Sequence, residues 1–247
     1  MLPLAGDETI TAVIPVQKYE EGKFLVMLTQ KGVIKKTDLS AFSNIRRNGL
    51  IAVALDDDDA LGWVRMTDGT SSIIIGTREG MAIHFPEEEL RPLGRTARGV
   101  KAIGLRPEDR VIGMDICKPE ADVLVVTTDG FGKRTPVDEY RLQARGGLGL
   151  INVKLNVNRQ GKVAAILVVS KNEEVVIVTT NGVVIRQGVN EVRQSGRSTQ
   201  GTRLQKLGED DRVVGVAPVV VTDDEEEGVD AGSAPVADTE TAPNAEG

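Results

Sequence analysis

Hydrophobic residues along this chain fall in short consecutive runs, not at helical spacing, and each run ends in a threonine followed three residues later by a glycine. The runs Phe24–Leu28, Ile73–Ile75, Val123–Val126 and Val175–Val178 lead into four such turns. These are Thr29-Gln30-Lys31-Gly32, Thr77-Arg78-Glu79-Gly80, Thr127-Thr128-Asp129-Gly130 and Thr179-Thr180-Asn181-Gly182. Their glycines are 48, 50 and 52 residues apart, and a second short strand-forming stretch follows each one. Apolar run, Gly turn and second run together predict a β-hairpin. Four hairpins at nearly constant spacing predict a structural repeat.

A second glycine recurs in step: Gly49, Gly99, Gly149 and Gly201 lie 17, 19, 19 and 19 residues after the turn glycine. Further apolar segments separate the units at Thr11–Val16, Leu61–Met66, Val111–Ile116, Val163–Val169 and Val213–Val219. Each unit then holds about four strands in roughly 50 residues, the size of a propeller blade. Runs that do not alternate are expected where a sheet is covered on both faces by its neighbours. The predicted fold is all-β, propeller-like, with about four visible four-stranded blades. A β-sandwich with coincidental spacing is the alternative.

Composition sharpens this picture at three points. The chain is 40% hydrophobic but only 3% aromatic, so Val, Ile and Leu must build the core. The formal net charge of −7 averages two unlike regions, because residues 223–247 carry nine acids and no Lys or Arg. Residues 1–222 hold 30 basic and 28 acidic side chains. The expectation is one repeat domain over 1–222 and a disordered acidic tail over 223–247. The single cysteine, Cys117, excludes an internal disulfide framework and fits a reducing compartment. No stretch approaches the ~18 apolar residues of a membrane helix, so the chain reads as soluble.

Basic residues sit in register with the repeat. Four residues after each turn glycine stands Lys36, His84, Arg134 or Arg186, with Lys35 and Lys133 beside two of them. Fifteen residues after it stands Arg47, Arg95, Arg145 or Arg197, and Arg46, Arg98, Lys101 and Arg203 lie close by. Equivalent positions in rotated repeats fall on one ring, so these side chains predict a cationic stripe around the domain's edge. Arg and Lys neutralise phosphates, and a loop glycine lets backbone approach them closely. A bracing role is open at this point, since the fifteenth-position Arg could pair with the acid at the ninth (Glu89, Glu139 or Glu191).

The same reading excludes several chemistries. His84 is the only histidine, so one chain cannot assemble a Ser-His-Asp triad or a His-rich metal site. Gly94 to Gly99 has the first spacing of a P-loop, but Val100 follows where Lys is required. No catalytic residue and no metal or cofactor site is expected here. A protein-interaction platform is the competing class.

The segments Gly32–Leu50, Gly80–Val100, Gly130–Leu150 and Gly182–Thr202 resemble the blades of the DNA gyrase A C-terminal domain. The runs Gly132–Arg141 and Gly94–Lys101 are especially similar. The resemblance implies a β-pinwheel, a propeller variant whose blades exchange a strand, usually six-bladed, which wraps double-stranded DNA around its rim. It implies partners in the rest of gyrase A and in gyrase B of an A2B2 holoenzyme, in the bacterial cytoplasm at the nucleoid. It also places the strand-cleaving Tyr, the ATPase site, ATP and Mg outside this chain. The corresponding C-terminal domain of topoisomerase IV is a close relation and a second assignment. The family's Gln-Arg-Arg-Gly-Gly-Lys-Gly box finds its nearest match at Gln143-Ala144-Arg145-Gly146-Gly147-Leu148-Gly149, which departs at the second and sixth positions. Upstream blades, with the box itself, are therefore expected before Met1.

Overall fold

The structure is a computed structural model and describes residues 10–45 and 49–219. The expected acidic tail at 223–247 lies outside the described residues. Repeat one supplies β1 (Phe24–Thr29), β2 (Val33–Asp38) and β3 (Leu61–Thr67). Repeat two supplies β4 (Ser72–Thr77), β5 (Met81–Pro86), β6 (Val100–Lys101) and β7 (Val111–Ile116). Repeat three supplies β8 (Asp122–Thr127), β9 (Phe131–Pro136), β10 (Leu150–Ile151), a four-residue helix α1 (Val157–Gln160) and β11 (Val163–Val169). Repeat four supplies β12 (Glu174–Thr179), β13 (Val184–Gly188), β14 (Thr202–Arg203) and β15 (Val213–Pro218).

The four hairpins form as predicted, and the recurring Thr explains itself. In each turn the glycine N–H donates to the Thr carbonyl at 3.0–3.1 Å. The next residue's N–H donates to the Thr hydroxyl, as from Val33 to Thr29 at 3.1 Å and from Phe131 to Thr127 at 3.2 Å. The turn glycines have φ between 77° and 83°, a left-handed conformation that a side chain opposes.

Strand exchange links the repeats. The sheets run β3-β1-β2-β6, β7-β4-β5-β10, β11-β8-β9-β14 and β15-β12-β13. The two-residue strands β6, β10 and β14 therefore each cover the outer edge of the preceding repeat's hairpin. The second recurring glycine opens each of these strands in a left-handed conformation. A Cβ on Gly201 would lie 2.6 Å from the Gly132 carbonyl oxygen it crosses. At the other side of each sheet, β3 packs on β7, β7 on β11 and β11 on β15, which makes these the inner strands. Four small antiparallel sheets thus stand side by side in a propeller-like arrangement.

Side chains along one strand serve two cores in turn. Ile73 and Ile75 pack with Val26 and Leu28 of the blade before, while Ile74 packs with Val123 and Val125 of the blade after. This is why the runs are apolar at every position. All six residues of β8 are buried. In β12, which among the described residues has a neighbouring blade on one face, burial alternates: Val175, Ile177 and Thr179 are buried and Val176 and Val178 are half-buried.

Two expectations are corrected. Thr11–Val16 forms no strand. An inner strand pairs with the hairpin that precedes it in sequence, and no such hairpin lies among the described residues, so its backbone has no ladder to join. Among the described residues the fourth blade has three strands, not four, its outer edge carrying no donated strand.

Candidate nucleic-acid interface

The segment between each hairpin and its donated strand positions the basic residues. It begins with a short 3-10 turn at Glu87–Glu89, Val137–Glu139 or Val189–Glu191. It then runs along the outer strand of the previous blade, where Leu93, Gln143 and Ser195 donate their N–H to the carbonyls of Lys36, His84 and Arg134 at 2.8–2.9 Å. This crossover carries the fifteenth-position arginines onto the outside of the molecule.

The structure moves five predicted contacts indoors. Lys35, Lys36, His84, Lys133 and Arg134 are all buried, Lys133 completely, so none of them can meet a phosphate directly. The fourth-position residues instead grip the next repeat. Lys36 Nζ donates to the Glu87 carbonyl at 3.2 Å, and His84 Nδ1 donates to the Tyr140 carbonyl at 2.6 Å. Arg134 Nε donates to the Val192 carbonyl at 2.8 Å. Each also faces the residue eight before its own turn glycine, diagonally across the hairpin. Lys36 lies 4.9 Å from the Phe24 ring centroid, His84 Nε2 lies 2.8 Å from Ser72 Oγ, and Arg134 pairs with Asp122. Arg186 makes the matching pair with Glu174, but is exposed. Arg46 and Arg47 lie outside the described residues.

Lys35 and Lys133 hold the crossover itself. Lys35 Nζ donates to the Ala52 carbonyl at 2.6 Å and to the Arg95 carbonyl. Lys133 Nζ donates to the carbonyls of Gly196 at 2.7 Å and Arg197 at 2.6 Å. Burial, with Arg95 adjoining, lowers Lys35 to about 8. Burial lowers Lys133 to about 8 as well, Glu139 opposing the shift and Arg197 adding to it. From about 8 to the ordinary 10.5, an unfolded chain keeps protons that these folded lysines have released. Their contribution to stability therefore rises with pH across that window. Ile83 and Ile185 occupy the same place in the other two repeats, so Lys35→Ile with Lys133→Ile is expected to fold. Urea midpoints at pH 7.5 and 10 should show the parent gaining stability relative to this variant as pH rises. A difference that stays constant would refute the buried ammonium groups.

The remaining predicted residues come together. Arg95, Arg98, Lys101, Arg145, Arg197 and Arg203 all lie on the crossovers and donated strands, half-exposed or exposed. The ninth-position acids do not neutralise the fifteenth-position guanidinium groups. Glu89 accepts the backbone N–H of Arg145 at 2.9 Å, and Glu139 accepts that of Arg197 at 3.1 Å. Arg145 and Arg197 each place one guanidinium nitrogen on a carbonyl of the preceding donated strand, Lys101 at 3.1 Å and Ile151 at 3.0 Å. Arg98 does pair with a carboxylate, that of Asp56. Arg203 lies 4.9 Å from the Phe131 ring centroid.

One set of residues is absent from the sequence-based expectation. Arg91, Arg141 and Arg193 stand eleven residues after their turn glycines, all exposed, on the same crossovers. The periodicity that located the other positions could have found them. Among the described residues, neither these three nor Arg95, Arg145 and Arg197 have a carboxylate salt-bridge partner. Arg91 and Arg145, from successive repeats, line one groove of about 500 Å³ together with Glu88 and Glu89. Successive crossovers also bond to one another's strands: Ala54 to Ala97 at 3.2 Å, Gly104 to Gly147 at 2.7 Å and Lys154 to Thr199 at 3.0 Å. The crossovers are therefore joined side by side into an outer belt of backbone.

Groups that could do covalent chemistry are used structurally. Burial pushes the Cys117 thiol up to about 12. The Tyr140 hydroxyl is buried, donates to Asn152 Oδ1 at 2.6 Å, and is also shifted upward by burial.

Comparison with known proteins gives a consistent result. A family model described as "DNA gyrase C-terminal domain, beta-propeller" matches residues 23–67, 71–118, 121–170 and 173–219, one match for each repeat. The DNA gyrase A protein of Staphylococcus aureus (strain MRSA252) is 47% identical over 228 residues, covering 91% of this chain and 26% of the relative. That of Synechocystis sp. (strain ATCC 27184 / PCC 6803 / Kazusa) is 41% identical over 260 residues, covering 92% of this chain and 30% of the relative. This chain thus spans less than a third of those relatives' length. The crystal structure of the C-terminal domain of DNA topoisomerase IV superimposes with a TM-score of 0.83 at 25% identity, over 88% of this chain and 68% of that one. The DNA gyrase A C-terminal domain gives 0.80 at 22% identity, over 88% and 73%.

Proposed function

The chain belongs to the family of DNA gyrase C-terminal β-propeller domains, and from that premise we propose that it binds duplex DNA along its outer belt and bends it. The observation that carries this reading is the set of six arginines at two repeat-equivalent positions, exposed or half-exposed, with no carboxylate salt-bridge partner among the described residues. Phosphates of a duplex laid along adjoining crossovers would meet cations supplied by one blade after another. Because phosphates carry no base identity, binding is expected to depend little on sequence.

The binding unit is residues 1–222, with 223–247 a separate acidic tail. The module performs no reaction itself. It acts within DNA gyrase, joined to the rest of gyrase A and working with gyrase B in the bacterial cytoplasm, where ATP hydrolysis and strand cleavage take place elsewhere in the enzyme. The wrapped segment then supports negative supercoiling. Relatives at 41% and 47% identity favour gyrase over topoisomerase IV.

Titration of linear duplexes of unrelated sequence at 50 and 200 mM salt tests the proposal. With about six to ten phosphate contacts, affinity should fall ~10³–10⁵-fold between the two conditions. End-to-end energy transfer on a short duplex should rise on binding as the DNA bends. Binding that ignores salt, or that is restricted to one sequence, would remove the phosphate belt as its cause.

A further inference from the structure

The described arginines at the fifteenth position each stand beside a glycine: Gly94-Arg95, Arg145-Gly146 and Gly196-Arg197. Glycine leaves a loop free to wander, so these side chains would be poorly aimed unless something outside the loop held them. In all three cases a side chain of the preceding repeat does so, and it grips the arginine's own backbone. Arg95 is held through its carbonyl, which accepts from Lys35 Nζ. Arg145 is held through its amide, which donates to Glu89 Oε2 at 2.9 Å. Arg197 is held through both, its amide donating to Glu139 Oε2 at 3.1 Å and its carbonyl accepting from Lys133 Nζ at 2.6 Å.

The means of holding changes from repeat to repeat, while the hold itself does not. Repeat one has Ala41 at the position of Glu89 and Glu139, and uses Lys35. Repeat two has Ile83 at the position of Lys35 and Lys133, and uses Glu89. The far ends of Arg145 and Arg197 are steadied as well, because one guanidinium nitrogen of each donates to a carbonyl of the preceding donated strand at 3.1 and 3.0 Å. That bond leaves further N–H donors for a phosphate. Glu89 and Glu139 meanwhile carry the wrong charge for a surface that meets phosphates. What they supply there is the fixed amide.

We infer that Lys35, Glu89, Lys133 and Glu139 are positioning residues for DNA binding, each fixing the backbone of the next repeat's arginine so that its guanidinium meets a phosphate already oriented. The inference rests on the duplex reading above. The four act through the arginines, not on the phosphates. Ordering a long side chain beforehand removes that cost from the association step. Every blade boundary thus becomes a place where one repeat aims the cation of the next.

The test compares two double variants of the full chain near neutral pH. Glu89→Gln with Glu139→Gln keeps an oxygen that accepts the two amides, and Glu89→Ala with Glu139→Ala does not, while both remove the same charge. Charge alone would make both bind duplex more tightly than the parent, and equally so. Positioning instead predicts that the Ala pair binds about tenfold more weakly than the Gln pair at about 0.1 M salt, with a slope of log affinity against log salt shallower by about 1–2. The single variants should differ too. Glu89→Ala leaves the Arg145 backbone without its hold, whereas Glu139→Ala leaves Lys133 on the Arg197 carbonyl, so Glu89→Ala should be the weaker binder by several-fold. If the Ala pair does not fold, these singles carry the comparison. Hydrogen exchange at the Arg145 and Arg197 amides reads the hold with no DNA present, and should be roughly tenfold faster in the Ala variants than in the Gln pair. Equal exchange would overturn the inference. So would unequal exchange with equal affinity and slope, since the bonds would then brace the fold alone. Failure of the duplex reading shows separately, as a parent chain that binds no duplex.

Discussion

Arg134→Ala is expected to cost about 3–5 kcal/mol of stability, because it leaves the Asp122 carboxylate buried without its cation. Asp122 is 6% exposed and keeps one bond, from Gln194 Nε2 at 2.9 Å. The substitution also removes the donor to the Val192 carbonyl, which ties the fourth repeat onto the third. For a domain of this size each kcal/mol moves Tm by about 2–4 °C, so a loss of roughly 6–20 °C follows. Replacing both partners, Arg134→Met with Asp122→Leu, should recover much of the loss, since neither charge is then stranded. Where the single variant is still folded, its affinity for duplex should stay within about twofold of the parent's, the inferred phosphate contacts being elsewhere. Thermal unfolding followed by far-ultraviolet circular dichroism decides the first point. A Tm within 2 °C of the parent's would show that the pair does not brace the blades.

That expectation reverses the role given to Arg134 by its place in the repeat, and the reason is physical. Periodicity shows that equivalent residues share a ring, but gives no radius for it. The fourth-position side chains sit on the outer strand of a hairpin, directly under the crossover arriving from the next repeat, which seals them in. Their partners were nevertheless in the sequence. Reading eight residues before and four after each turn glycine gives Phe24 with Lys36, Ser72 with His84, Asp122 with Arg134 and Glu174 with Arg186. The chemistry changes from repeat to repeat, but changes in pairs. Side chains that must satisfy each other do so, whereas side chains facing one common external ligand keep a single type. Arginine is kept at position eleven in three repeats and at position fifteen in all four.

Other parts were legible for a simpler reason. The four hairpins and the inner strands announce themselves because a strand between two neighbours must be apolar on both faces. The donated strands were harder to see. Each has only two residues, and β6 and β14 include Lys101 and Arg203, so no apolar run marks them. Their signature is the left-handed glycine before them. The direction of the exchange, toward the preceding blade, is not written in the composition of any segment, and strand exchange itself was expected only through family resemblance.

Replacing Arg95, Arg145 and Arg197 together by Gln should have the largest effect on DNA. Each lost phosphate contact lowers the slope of log affinity against log salt by about 0.9, so three lower it by about 2.7. At 0.1 M salt this corresponds to a loss on the order of 10²–10³-fold, similar on every duplex sequence. The fold should survive, since the crossovers are held mainly through the backbone: Glu89 and Glu139 bind the amides of Arg145 and Arg197, and Lys133 binds the Arg197 carbonyl. What the variant gives up is the two guanidinium bonds to the Lys101 and Ile151 carbonyls, about 1 kcal/mol each. The same triple change at Arg91, Arg141 and Arg193 should give a comparable fall in slope, because those side chains stand on the same crossovers. If both triple variants bind with the parent's slope, the duplex does not lie along the crossovers. If they bind weakly but also unfold early, the arginines are braces after all. Only weak binding by a stable protein places the phosphates on the belt.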